Sequence, residues 1–218
     1  RGEYVSMLDS DDEFKSPDAV STAYEASEHG RYDIVQFCAE PHRDGAYILE
    51  SNRDAYRLIE HPAQGVLNAA PDAFAETFLT SRLYCLFLWA KLIRRETFLD
   101  ALDGVPEMNC FMAEDTLFSY FIARTASSYI GIPDVQYVYN LGAGISTSAD
   151  TIDSLDRWKK LCTPADVFTA IMYDIQQRPF PEGNRVPEYM KKVLFHFVHR
   201  NILLLDRVSP ELREDAEQ

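Results

Sequence analysis

The chain has no two cysteines at the spacing of a metal knuckle or a redox pair. Cys38, Cys85, Cys110 and Cys162 are its only four, far apart and without a companion His pattern. That distribution argues against a zinc or disulfide scaffold and for free thiols in a reducing compartment. Positive charge is scarce too: 21 Lys and Arg stand against 35 Asp and Glu, a formal net charge of −14. No nucleic-acid partner is expected, and any phosphate-bearing ligand would need a metal or local cations to overcome the field. No apolar stretch is long enough to span a bilayer, and no basic-then-apolar leader opens the chain. The expectation is a cytoplasmic protein, at most peripheral at the inner face of the membrane. Internal repeats and low-complexity tracts are missing as well. The first residues, Arg1-Gly2, directly precede what reads as an internal strand, so the sequence reads as an excerpt of a longer chain. What is there is 218 residues, 46% hydrophobic and 12% aromatic, enough for one substantial core or for one domain with an appendage.

The stretch Tyr4-Val5-Ser6-Met7-Leu8-Asp9-Ser10-Asp11-Asp12 joins a short apolar run to a cluster of carboxylates. Val5, Met7 and Leu8 suit a buried strand, whereas Asp9, Asp11 and Asp12 favour the loop that follows it. Ligands of open α/β sheets bind at that end of a strand. Crowded acids are costly unless a cation or hydrogen-bond donors compensate them, and oxygen-only ligands favour Mg2+ or Mn2+ over zinc. Asp9 and Asp11 are the candidate metal ligands, with Asp12 in support. The same residues also make an ordinary solvated turn before a helix that Ser16-Pro17 would start.

Two later stretches carry chemistry. In residues 86–96, Trp89 beside Lys91 and the pair Arg94-Arg95 suit a sugar face and a phosphate. Equally, Trp89 is core and Lys91 snorkels outward. In residues 112–122, Leu117, Phe118, Phe121 and Ile122 form one helical stripe that places Glu114 and Asp115 in the first turn. A helix N-terminus lowers a carboxyl pKa, so a base there needs burial or nearby negative charge to raise it. Residues 34–38 read as a strand covered on both faces, 46–49 as a return strand, and 135–139 as an alternating strand. Residues 52–81 read as a helical linker or lid, and 140–147 as a flexible glycine loop.

Gly-Glu-Tyr-Val-Ser-Met-Leu-Asp-Ser-Asp-Asp-Glu-Phe, then Ser-Pro-Asp-Ala-Val and the apolar residues 32–37, then Trp-x-Lys-Leu-x-Arg-Arg-Glu, then Glu-Asp opening a helix, together resemble the middle of a family-two glycosyltransferase of the GT-A type. The resemblance implies an α/β fold over residues 1–149, a truncated Rossmann-like sheet with flanking helices that lacks the nucleoside-binding half. It also implies inverting transfer from a nucleotide sugar, foremost a UDP-sugar, to a glycan or lipid-linked acceptor in polysaccharide synthesis. Asp9 and Asp11 would hold the metal of the donor diphosphate, Asp115 would act as base with Glu114 orienting, and Trp89 and Lys91 would support the donor site. One departure stands out: relatives carry a basic residue after Tyr-x-Tyr, where this chain has Asn140.

Residues 150–218 read as a C-terminal helical extension. Thr163-Pro164 and Val186-Pro187 open helices, and Met190, Val193, Leu194, Phe197 and Val198 recur at helical spacing. That stripe suits packing on the core; contact of residues 187–208 with a second copy or an anionic membrane is the competing use. His196 and His199 lack a third ligand. Two rivals to the transferase remain: a GT-A-like assembly module without chemistry, and a haloacid-dehalogenase-type phosphotransferase, which Asp12-Glu13-Phe14 fits poorly.

Overall fold

The computed structural model describes residues 2–28, 30–43, 46–47, 53–141 and 151–216. Its central strand is the continuous apolar run, extended to β3 (Ile34–Arg43), since only a residue covered on both faces can be apolar at every position. β6 (Lys91–Arg94) pairs with it antiparallel and β7 (Ser128–Asn140) parallel. β1 (Tyr4–Val5) borders β6 and β2 (Glu13–Phe14) borders β7, giving the order β1-β6-β3-β7-β2. β4 (Ala46–Tyr47) adds to β3, and β5 (Gly65–Asn68) to β7. Side chains alternate as the pleat requires: Ile34 opposite Ile93 faces one core cluster, Val35 opposite Leu92 the other.

The β3–β7 register slips between Gln36 and Ala39, opposite the part of β7 that contains Pro133, a residue with no N–H to give the ladder. The sheet curls into a half-barrel with helices around it, a mixed α/β fold. Asp33 fastens its base. Its Oδ2 accepts from the backbone N–H groups of Ser127 (2.8 Å) and Ser128 (3.0 Å) and from both their hydroxyls, while Oδ1 accepts from Thr97. Burial opposes the Asp33 charge, but these donors outweigh it and hold its pKa below the ordinary value.

One sheet face carries α3 (Pro71–Thr80), α4 (Arg95–Leu102), α5 (Glu114–Thr125), α7 (Pro164–Gln177) and α8 (Val186–Leu204). Phe74, Phe78, Leu117, Phe121, Ile171, Val186, Met190 and Leu194 meet there in a single core. α8 thus buries the side of its stripe that contains Met190 and Leu194, while Phe195, Val198, Ile202 and Leu203 stay exposed. The other face carries α1 (Ala19–Ala26) and Trp89; α2 (Arg53–Glu60) contributes Ile59. α6 (Leu155–Cys162) and α9 (Arg213–Ala216) close a small third cluster around Ile152 and Val208. Among the described residues no helix is long and apolar enough to cross a membrane. The four cysteines are unpaired.

Several local expectations are corrected. The strand expected through Leu8 pairs only at Tyr4–Val5, with a lone bridge from Met7 to Trp89. Ser16 does not cap α1, which starts at Ala19. Residues 52–81 are not a linker or lid: β5 is a sheet strand and α3 is core, because Phe74, Ala75, Phe78 and Leu79 repeat at the spacing that buries one helix face. Most of the glycine loop, residues 142–147, lies outside the described residues.

Candidate active site

The acidic turn hangs from the sheet by its neighbours. Ser6 Oγ donates to the Lys91 carbonyl (2.8 Å), and Met7 bridges Trp89, so the chain leaves the sheet edge just before Asp9. Asp12 N–H then closes a turn on the Asp9 carbonyl (3.1 Å). β7 holds the turn from the other side. Tyr137 Oη donates to Asp12 Oδ2 (2.8 Å), Asn140 N–H donates to Asp12 Oδ1 (2.8 Å), and Asn140 Nδ2 donates to the Asp11 carbonyl (2.9 Å). Asn140 therefore serves as a tie between strand and turn. One oxygen each from Asp9, Asp11 and Asp12 lies within 4.8 Å of the others. Burial, and behind it neighbouring acids, raise the Asp9 and Asp12 carboxyls above their ordinary values, at Asp12 against the lowering pull of the Asn140 and Tyr137 hydrogen bonds. A hard divalent cation fits that donor set, with Asp9 and Asp11 the freer ligands because both Asp12 oxygens already accept hydrogen bonds.

Glu114 and Asp115 open α5. Ala113 before them takes the left-handed conformation (φ 65°), which turns the chain sharply into the helix. Asp115 Oδ1 accepts the Leu88 N–H at 2.9 Å. Burial pushes the Asp115 carboxyl up to about 6, with the charges of Glu114 and Asp9 adding to it and the Leu88 N–H and Lys91 ammonium opposing. Glu114 is raised by burial and by Asp9 as well. The helix N-terminus alone would have lowered both; desolvation wins.

Residues 86–91 connect these groups. Leu86 O accepts from Ser119 Oγ (2.5 Å), Phe87 O accepts from Lys91 Nζ, and Leu88 N–H reaches Asp115. Trp89 is only 4% exposed, sandwiched with Phe87 (4.9 Å between ring centres), Tyr137 (5.1 Å) and Tyr139 (5.0 Å), all nearly parallel. The outward, snorkelling placement of Lys91 is corrected: its side chain is buried at 2% exposure, and burial lowers its pKa while Cys85 and Asp115 oppose the shift.

A cavity of about 730 Å³ brings the parts together. Asp9 and Asp11 line it with Glu114, Asp115, Phe87 and Tyr139. Asp12 lies behind the turn, and neither Trp89 nor Lys91 reaches the cavity lining. Asp115, Thr116 and Phe87 also line a second cavity of about 650 Å³, which Tyr189, Lys192, Val193 and His196 of α8 border. Sequence reasoning did not single out Phe87, Tyr139 or Arg200, which line the first cavity. Tyr139 had a signal: on an alternating strand it shares one face with Tyr137, which holds Asp12.

No protein-family profile matches the sequence. No curated protein matches it either. Among solved structures, the chain resembles the crystal structure of S. aureus TarS 1-349 in complex with UDP-GlcNAc, at 17% identity and a TM-score of 0.57, covering 98% of this chain and 54% of that one. A second structure of S. aureus TarS 1-349 matches at 17% identity and a TM-score of 0.45, over 98% of this chain and 60% of the other. The chain thus spans a little over half the length of those structures, and the likeness is one of fold.

Proposed function

We propose that the protein transfers a sugar from a nucleotide-diphosphate donor to an acceptor hydroxyl, with inversion, as a family-two-like glycosyltransferase. The observation that carries this reading is the first cavity, where the acids of the turn and the acids of α5, far apart in the chain, face one another. The similar TarS structure was determined with UDP-GlcNAc, which favours a UDP-sugar as the donor. Asp9 and Asp11 would hold Mg2+ or Mn2+, and such an ion supplies neutralisation of charge on a departing diphosphate. Asp115 takes the proton of the acceptor hydroxyl. At pH 7 a carboxyl with a pKa of about 6 is mostly ionised yet far more basic than an exposed aspartate, which suits that role. Glu114, beside it, orients the acceptor. Leu88 N–H fixes the Asp115 rotamer. Lys91 acts from behind the wall, offsetting charge at Asp115 and pinning Phe87. The exposed face of α8, with Phe195, Val198 and Ile202, is where a second copy or a membrane surface would dock.

Calorimetric titration of Mn2+ and UDP into the protein tests the donor half. Metal-dependent UDP binding that falls at least tenfold in Asp11→Ala is expected; undiminished binding in that variant sinks the metal assignment. Asp115→Asn should abolish transfer and spare UDP binding, and turnover at the wild-type rate would remove Asp115 from the mechanism. Absence of UDP binding in any form would favour the non-catalytic assembly module.

A further inference from the structure

Gln36 interrupts the apolar run Ile34-Val35-Gln36-Phe37 and is as buried as its neighbours, at 1% exposure. A side chain kept there for packing alone would be apolar, and this amide is only partly satisfied. Its Nε2 donates to the Phe37 and Ala90 carbonyls (2.9 Å each), whereas Oε1 has no partner among the described residues. What the amide holds is a strained turn. Ala90 takes the left-handed conformation (φ 55°), which disfavours any residue with a Cβ, and its carbonyl is gripped twice, by Gln36 Nε2 and by the Phe37 N–H (3.1 Å).

That turn decides where its neighbours go. Trp89 and Lys91 would share a face on a regular strand. With Ala90 left-handed between them, Trp89 joins the cluster of Phe37 and Leu92, while Lys91, the cross-strand partner of Gln36, takes the face of Ile93, on which α5 packs. There its ammonium donates to the Phe87 carbonyl and closes residues 87–91 into a ring, from which the Leu88 N–H reaches Asp115 Oδ1 (2.9 Å). The ammonium and the N–H both favour the ionised Asp115, against its burial and the charges of Glu114 and Asp9; Cys85 is the other ionisable group beside Lys91.

On the reading that Asp115 is the base, we infer that Gln36 is a positioning residue for the transfer: through the Ala90 carbonyl it fixes the Lys91 ammonium, and with it the Leu88 N–H, against Asp115. Gln36 lines neither cavity, so its effect passes through the main chain alone. Without it the turn at Ala90 relaxes, Lys91 leaves the ring, and Asp115 holds its proton more tightly because its charge is less well compensated.

The test is the pH titration of the Leu88 amide resonance in isotope-labelled protein with chelator present, which follows the ionisation of Asp115 without donor or acceptor. The parent should titrate with a midpoint of about 6. Lys91→Met should raise that midpoint by about one unit and Gln36→Met by about half as much, while the double variant moves no further than Lys91→Met alone. Met keeps the volume of Gln; Gln36→Asn, which shortens the reach, is the second variant and should shift the same way. The acidic limb of the transfer rate should move up with the midpoint. An amide that does not titrate in the parent, a midpoint unmoved in both Gln36 variants, or a double-variant shift equal to the sum of the singles overturns the inference. So does failure of both Gln36 variants to fold, since Gln36 would then serve the sheet alone. If the shifts hold and Asp115→Asn still transfers sugar at the parent's rate, the positioning of Asp115 stands and its assignment as base alone fails.

Discussion

Asp115 is costly to the fold in proportion to its use. Its carboxyl ionises at about 6 in the folded chain against an ordinary value of 3.8, so folding favours the protonated form. Above pH 6 the buried charge destabilises the protein in full; as pH falls to 3.8 and below, the penalty disappears. Asp115→Asn keeps an oxygen for the Leu88 N–H and removes the charge. It should therefore unfold later than the parent by roughly 1–2 kcal/mol at pH 8, after allowance for water in the cavity, and by almost nothing near pH 3. Urea unfolding with chelator present at the two pH values measures this; a variant less stable than the parent at pH 8 would show that the charge is solvated. The position of Glu114-Asp115 at a helix start was legible from the Leu117, Phe118, Phe121, Ile122 stripe. The sign of the pKa shift was not, because it depends on burial beside residues 87 and 88, remote in the chain.

Among elements, β7 does the most joining. At its start Ser127 and Ser128 bind Asp33, and at its end Tyr137 and Asn140 bind the acidic turn, so one strand sets the distance between the base of the sheet and the candidate metal ligands. Asp33→Ala leaves these serine donors with no acceptor in a half-buried site. A loss of roughly 2–4 kcal/mol is expected by urea unfolding, and a loss under 0.5 would mean that water replaces the carboxylate. β3 was legible because burial on both faces leaves an unbroken apolar run. β5 and α3 were misread as a lid because Pro62 and Pro71 punctuate the segment as a linker would, and because Gly131, where a Cβ would collide with the Ala63 carbonyl, gives no local sign that it admits β5 alongside.

For the whole molecule, the excess of negative charge and the gathered carboxylates of the turn should make stability depend on cations. Mn2+ at a hundred times its dissociation constant should add about 2.7 kcal/mol to unfolding, and the increment should vanish in Asp11→Ala. A thermal midpoint that rises equally in parent and variant would show only screening of the net charge. The order of motifs along the chain resembled a known family closely enough to suggest the fold. The second cavity left no such trace, since Arg82, Phe87, Asp115 and Lys192 share no local pattern and meet only when α3, α5 and α8 pack.

The fastening of residues 86–88 bears on how such a protein can change over generations. Three successive residues are committed to three different partners, Ser119, Lys91 and Asp115, through main-chain atoms that no substitution removes. Side chains there can drift, yet one inserted or deleted residue would shift every bond at once and detach Asp115. Descendants should therefore keep the length from Leu86 to Lys91 fixed, and vary the wall of the second cavity through α8, where Lys192, Val193 and His196 line it.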